Sequence, residues 1–421
     1  MDAPPPSPSR PPRHTIHRLR LTYLVIPPVI LAVLTFIVLF QHSDTNLYML
    51  WSQCHSRSRL PFLSRWPVLG TPLCFLVSFF QEAIASDSSS RAVSLMSGIL
   101  SFLGGLITVS TVEAARVCNA PSALIAYPTG PWLAFTLVGG AFVWELVILP
   151  AFFHRSRSII LARRAGLDGS AEGGSRPTTG DQETEAELLT SSTTRHLART
   201  AEIIAIPAAV ALGFFVPSIL MLTVSATQPW TVLVWLFFPV WVSLLRQGIR
   251  ALVVYMLRQH SDRWQSTYHL DSSRLALAGM YALPVLASVA AHVFFLVDII
   301  TQRDDRKEMT RSTTKFIVID AFFLGLTVLY WLFIEAGWRV TLVTILTTVV
   351  FGPGAGICVG WVYRERKVDP DHWRGVRVVA VGQDPEALRR RNSDNSSVGS
   401  GSGRRRGQNG TRSDENTPLL R

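Results

Sequence analysis

Residues 21–40 read Leu-Thr-Tyr-Leu-Val-Ile-Pro-Pro-Val-Ile-Leu-Ala-Val-Leu-Thr-Phe-Ile-Val-Leu-Phe, an unbroken stretch without a charge. A helix rises about 1.5 Å per residue, so a stretch of this length matches the roughly 30 Å of a bilayer's hydrocarbon layer. Comparable blocks follow at 67–85, 92–112, 131–153, 203–224, 230–252, 276–300, 316–337 and 340–363. Only helices and closed barrels satisfy their backbone in lipid, and these blocks are too long and continuous for barrel strands. The expected fold is all-α: a polytopic transmembrane helical bundle of about eight or nine spans with disordered polar tails.

Composition agrees. The chain is 48% hydrophobic and 16% charged, where a soluble chain carries about a quarter charged residues. The net charge is +11. Arginines crowd the N-terminal arm, the loop after the fourth block and the C-terminal tail, which suits anionic lipid headgroups better than nucleic acid. The expected partner surface is therefore the lipid bilayer, not nucleic acid.

The blocks divide the chain into a disordered basic arm (1–20), helices one to four (21–154), a flexible polar loop (155–200), helices five to nine (201–363) and a polar, mostly disordered tail (364–421). The loop carries Gly169-Ser-Ala-Glu-Gly-Gly-Ser175 and an acidic patch from Asp181 to Glu187, a linker composition. The tail carries two arginine triplets and ends Glu415-Asn-Thr-Pro-Leu419-Leu420, an acidic dileucine pattern that would need a cytosolic tail. Residues 21–40 exceed a signal peptide's apolar core, so a signal anchor is expected. Cys54, Cys74, Cys118 and Cys358 show no CxxC spacing, so no zinc site or redox motif is expected. Cys74 and Cys358 lie in apolar blocks and read as packing residues. A cytosolic N-terminus with nine spans would put the arginine-rich tail on the far side, against the positive-inside rule. Either one segment does not cross or the count is eight, with the pair 316–337 and 340–363 a suspect.

Ionisable groups inside spans cost about 2.5–3.5 kcal/mol each on insertion scales, so they are where function is sought. They are Glu113, Glu145, Arg246, Arg250, His292, Asp298, Asp320 and Glu335. If every block from the third to the eighth crosses, Glu113, Asp298 and Asp320 share one membrane face with Arg116 and Asn119. Glu145, Arg246, Arg250 and Glu335 then fall in the other half, where either arginine is the expected partner of Glu145. Each has a plainer reading. Asp298 and Asp320 would snorkel to the headgroups. Glu113 and Arg116 would form an i,i+3 pair. Glu145 would sit in a buried ion pair, and His292 would make a packing hydrogen bond.

Twelve Trp and 22 Phe suggest a chemistry. Many are belt residues, but some lie deeper. Aromatic ring faces stabilise a carbocation, and a carboxylic acid in an apolar cavity can stay protonated and act as an acid. Together they meet the needs of a proton-initiated polyene cyclisation. A Walker A loop, GxSxG, HExxH and the Asp-rich diphosphate motif of soluble terpene synthases are all missing.

Glu113-x-x-Arg116-x-x-Asn119, then Pro128, and Phe316-Ile-Val-Ile-Asp320 followed by aromatics through Trp331 and Trp338 resemble the fungal membrane-bound terpene cyclases of meroterpenoid biosynthesis, the ascofuranone-type family. The resemblance covers about residues 70–360. It implies an isomerase-type cyclisation of a farnesylated, often epoxidised, aromatic polyketide. No metal or redox cofactor is implied. Glu113 and Asp320 are then the acid candidates, Asp298 a third member, and Arg116 and Asn119 supports of Glu113; Glu145 and Arg246 are further supporting candidates from the other half. The expected location is the endoplasmic reticulum or another secretory-pathway membrane. The oligomeric state stays open. A proton-coupled or small-molecule transporter using the same carboxylates is the alternative, and a receptor-like or scaffolding protein a third.

Overall fold

The computed structural model describes residues 21–42, 51–52, 67–84, 90–171, 195–224, 228–258 and 262–368, apart from 267, 269, 271, 272 and 305. The basic arm, the middle of the polar loop, Cys54, and the tail from 369 with its arginine triplets and dileucine pattern lie outside the described residues. The elements are α1 (Leu21–His42), α2 (Pro67–Ile84), α3 (Ser90–Ala114), α4 (Thr129–Val138), α5 (140–171), α6 (Glu202–Val224), α7 (Trp230–Leu236), α8 (Phe238–Leu257), α9 (Arg274–Thr301), α10 (Glu308–Ala336), α11 (Trp338–Phe351) and α12 (Pro353–Val368). The expected helical class holds: among the described residues the only extended pairings are single bridges, Arg116 to Leu197 and Leu197 to Tyr268. Among the described residues, six helices are long and apolar enough to cross a membrane: α3, α6, α8, α9, α10 and Tyr23–His42 of α1.

Hydrogen bonds sort the helix ends into two groups. Ser90 and Ser94, at the start of α3, donate to Asp298 at 2.5 and 2.9 Å, near the end of α9. Glu82, closing α2, accepts from Thr310 in the first turn of α10. These form the Asp298 end. The Glu113 end lies about 28 Å away along α3, from Ser94 to Glu113 at about 1.5 Å per residue. There Leu197 bridges Arg116 and Tyr268, and Val117 N–H donates to His196 O. Tyr330 donates to Leu24 O, tying the start of α1 to the last turns of α10. The six long helices therefore alternate in direction. The start of α1 and the end of α10 lie at the same end.

The blocks 131–153 and 340–363, expected as crossings, are each two helices meeting at a glycine. α4 ends at Gly139, with φ 138°, and α5 starts at Gly140. α5 returns to the end it came from, where Arg155 Nε donates to Cys118 O at 2.5 Å and Ser156 to Glu335 at 2.7 Å. α11 stops at Gly352, with φ 91°, and α12 returns Arg364 to Glu335 and Glu113. At such φ a side chain would be strained. At Gly352 a Cβ would also lie 2.8 Å from Ser288 Oγ and 3.0 Å from His292 Cβ.

Two boundaries move. Residues 155–171, expected as flexible loop, continue α5, and Arg364 and Glu365, expected to open the tail, are buried in α12 at 2% exposure. Cys74, expected as a packing thiol, is disulfide-bonded, whereas Cys118 and Cys358 are free and buried. Burial also pushes the Cys118 thiol up from its ordinary pKa. At the Asp298 end, hydrogen bonds from Arg306 hold the Asp304 carboxyl well below the usual range.

Gly352→Ala should lower stability by about 1–3 kcal/mol through backbone strain, read as thermal unfolding in detergent. Gly279→Ala, with nothing within 4 Å of its added Cβ, should be neutral or better. Equal behaviour of the two variants would show that the Gly352 turn is not required.

Candidate functional site

Phe316, Ile317, Asp320, Ala321 and Leu324 recur at helical spacing, so they form one face of α10. That face meets Phe75, Phe79 and Phe80 of α2, Met96 to Leu103 of α3, Phe135 of α4 and Trp235 of α7 around a cavity of about 870 Å³. The rings pack edge-on: Phe79 to Phe316 at 5.4 Å and Phe80 to Trp235 at 5.0 Å. Asp320 is the only ionisable residue among the described lining residues. It lies about 18 Å along α10 from Glu308 and about 24 Å from Ala336 at 1.5 Å per residue, which is mid-depth.

The α4–α5 break sets the Asp320 carboxylate in place. A helix start leaves backbone N–H groups without intrahelical partners. Ala141 N–H, in the first turn of α5, donates to Asp320 Oδ1 at 3.0 Å. A Cβ on Gly140 would come within 2.8 Å of Oδ2, so glycine alone allows this approach. Asp320 thus caps a helix start while standing in the cavity wall, and it does not snorkel to a headgroup.

Glu113 is placed differently. Its Oε1 accepts from Arg116 Nε at 3.0 Å, Trp361 Nε1 at 3.2 Å and Arg364 Nη1 at 3.3 Å. Its Oε2 accepts from Asn119 Nδ2 at 2.9 Å. The Glu-x-x-Arg-x-x-Asn spacing therefore does gather its three residues. Arg364 also pairs with Glu335 and, at 3.2 Å, with Glu365, and Arg116 reaches Glu365 at 2.8 Å. Arg364 stacks on Trp361 with its guanidinium carbon 4.1 Å from the ring centroid. All five charged members are below 10% exposed. This network joins α3, α10 and α12, and Glu113 does not line the aromatic cavity.

The expected grouping by depth is therefore corrected. Asp298 lies at the opposite end of α3 from Glu113, paired with Arg91 at 3.1 Å and with Ser90 and Ser94. Glu335 stands with Glu113, not across from it. Among the described residues Glu145 has no arginine partner. It sits in a π-helical turn, Trp144–Ile148, fully buried, and accepts from Thr35 at 3.1 Å and Thr327 at 3.2 Å. Arg246 and Arg250 instead hold Glu202, at 2.8 and 3.1 Å. The reason is the α4–α5 hairpin: a block counted as a crossing that returns to its own end inverts every later element. His292 Nε2 meets Val349 O at 3.1 Å, next to the Gly352 turn, a packing role. Among the described residues no three His, Cys, Asp or Glu cluster as a metal site.

Sequence reasoning missed Trp361, Arg364, Glu365 and Glu202. The first three follow Gly352-Pro-Gly-Ala-Gly356, a run whose turn signal was present. Glu202 opens an apolar block, where a lone carboxylate carries no signal of its partner.

Removing one member of a buried ion network leaves its partners uncompensated, at a cost of about 3–5 kcal/mol. Arg364→Gln should lose that much stability, read as a fall in detergent unfolding temperature. An unchanged temperature would remove the network's structural role. In comparisons with known proteins, the chain matches no family model, no curated protein and no solved structure.

Proposed function

We propose that the chain is a membrane-embedded, cofactor-independent cyclase that isomerises a farnesylated, epoxidised aromatic polyketide, with Asp320 as its acid. The observation that carries this is a lone carboxyl in an aromatic-walled cavity at mid-depth. The volume, about 870 Å³, falls within the range of small-molecule sites. The long prenyl chain of such a substrate matches phenylalanine and tryptophan walls.

In this proposal the Asp320 carboxylic acid gives its proton to the epoxide oxygen. The C–O bond breaks, and its electron pair goes to that oxygen. The π electrons of successive alkenes then form the new C–C bonds, and the rings of Phe79, Phe316 and Trp235 stabilise each cation through their faces. The last cation loses a proton, or is captured by the phenol oxygen with loss of the O–H proton. The Asp320 carboxylate takes that proton back, so the product is an isomer of the substrate. Ala141 N–H holds the carboxyl in one orientation. Glu113 holds helices together, and Asp298 ties α3 to α9.

The helix directions support an orientation. α1 starts at the Glu113 end, and α12 returns there. Arg155, Arg157, Arg195, Arg199, Arg258, Arg263, Arg274 and Arg339 flank helices at that same end, against Arg91, Arg303, Arg306, Lys307, Arg311 and Lys315 at the other, and this excess supports a cytosolic assignment. Six crossings then remove the conflict over the arginine-rich tail. The Cys74 disulfide, on the stretch between two helix termini at the other end, fits an oxidising lumen of the secretory pathway.

A transporter is the second reading. Glycine-broken helices that meet at mid-depth, as at Gly139 and Gly352, are the elements carriers use to bind cargo.

Membranes from a host lacking the pathway, given an epoxyfarnesylated phenol, should form a cyclic product of unchanged mass. Asp320→Asn, which keeps an acceptor for Ala141, should cut turnover by at least about a hundredfold while the protein still folds. No isomer with several such substrates, or full activity in Asp320→Asn, would overturn the proposal. Uptake of the intact substrate into proteoliposomes without isomerisation would favour the transporter.

A further inference from the structure

A second site lies at the Glu113 end, apart from the aromatic cavity and independent of the cyclase reading. It is a cavity of about 500 Å³ between α3, α4 and α8. Arg246, Gln247, Arg250, Ser243 and Thr129 line it with Glu202. Its polar lining is unlike the first cavity, where one carboxyl stands among hydrocarbon.

The charge does not balance. Glu202 is fully buried and is held by two guanidiniums. Arg246 binds it through Nε at 2.8 Å and Nη2 at 3.0 Å, and Arg250 through Nη1 at 3.1 Å. Arg116 also lines the cavity but is taken up by Glu113 and Glu365, so two guanidiniums against Glu202 leave one net positive charge facing it. Arg246 Nη1 and Arg250 Nε and Nη2 have no other partner among the described residues. The side chains of Arg246 and Arg250 are 14% and 32% exposed, so these donors are reachable. α4 opens at Thr129 on the same wall, adding the positive end of its dipole.

The surroundings are those of a lipid-facing surface. On α8, Leu244, Leu252, Tyr255 and Met256 are 57%, 50%, 79% and 62% exposed, and Tyr127 beside the cavity is 75% exposed. α8 has 6% of its apolar window buried inside the protein, so acyl chains can lie against it while a headgroup turns inward. A guanidinium fork matches a phosphate's oxygens. From this we infer that the cavity binds a phosphate group at the membrane face, as the headgroup of an anionic lipid or as free diphosphate.

The test is native mass spectrometry of the full-length protein in detergent, with phosphatidic acid against phosphatidylcholine of the same acyl chains, and inorganic pyrophosphate as the soluble probe. A basic residue near an anionic lipid surface is worth about 1 kcal/mol, roughly fivefold. Phosphatidic acid should be retained over phosphatidylcholine, and Arg250→Gln should weaken that retention about fivefold. Arg246 still pairs Glu202 in that variant, so its unfolding temperature should hold. Glu202→Gln, which removes the competing anion, should not weaken retention. Arg311→Gln, at the opposite end, should leave it unchanged. Arg250-dependent binding of phosphatidic acid alone assigns the headgroup as the source, and of pyrophosphate alone the free anion. Equal retention of the two lipids with no pyrophosphate binding, or binding unmoved by Arg250→Gln, would overturn the inference.

Discussion

A backbone inside hydrocarbon has to satisfy every N–H and C=O from within the protein, and the rest of this structure follows from how that demand is met at two interrupted helices. The break at Gly139 exposes the start of α5, and Asp320 accepts from Ala141 N–H there. The break at Gly352 exposes the end of α11, where His292 meets Val349 O and Ser288 donates to Phe351 O at 3.3 Å. Each polar side chain from a long helix supplies the partner that an interrupted helix lacks. Asp320 is at mid-depth because a helix start is at mid-depth.

The same demand explains why the ionisable residues divide into different kinds. Glu113 has its oxygens filled by two arginines, a tryptophan and an asparagine. A carboxylate so held is a joint between helices. Asp320 is held by backbone N–H at the start of α5 and no arginine among the described residues, and it opens on a cavity of aromatic rings. Glu145 lies between these cases, held by two threonine hydroxyls and, among the described residues, no arginine. Chemistry needs a carboxyl that can give up and regain a proton, and the cavity side of Asp320 has room for a reacting molecule.

The helical class and the six long helices were legible because apolar runs of about 20 residues with few charges have few other readings. Hydropathy could not separate a crossing helix from a hairpin of two half-helices with the same apolar content. Blocks 131–153 and 340–363 both have the apolar content of a span, although Gly139-Gly140 and Gly352-Pro-Gly mark both turns and the charge bias already makes 340–363 a suspect. One false crossing then misplaced Asp298, Glu335 and Arg246 relative to Glu113. The Glu113, Arg116 and Asn119 grouping was legible from local spacing. Arg364 and Glu365 were not, because a charge run after an apolar block has the form of a solvated flank. Glu202 was hidden because no pattern in one chain reveals which of two carboxylates an arginine meets.

The proposed cyclase reading puts the prenyl chain of a substrate against α2 and α10 beside Asp320. Photolabelling with a farnesylated phenol that carries a diazirine on its terminal isoprene unit tests it most directly. The account predicts label on peptides holding Phe75 to Phe80 and Phe316 to Leu324, competed away by unlabelled substrate and lost when Leu324→Trp fills the cavity. Label confined to exposed residues outside those stretches, such as Leu286 and Leu346, and unmoved by competitor, would contradict it.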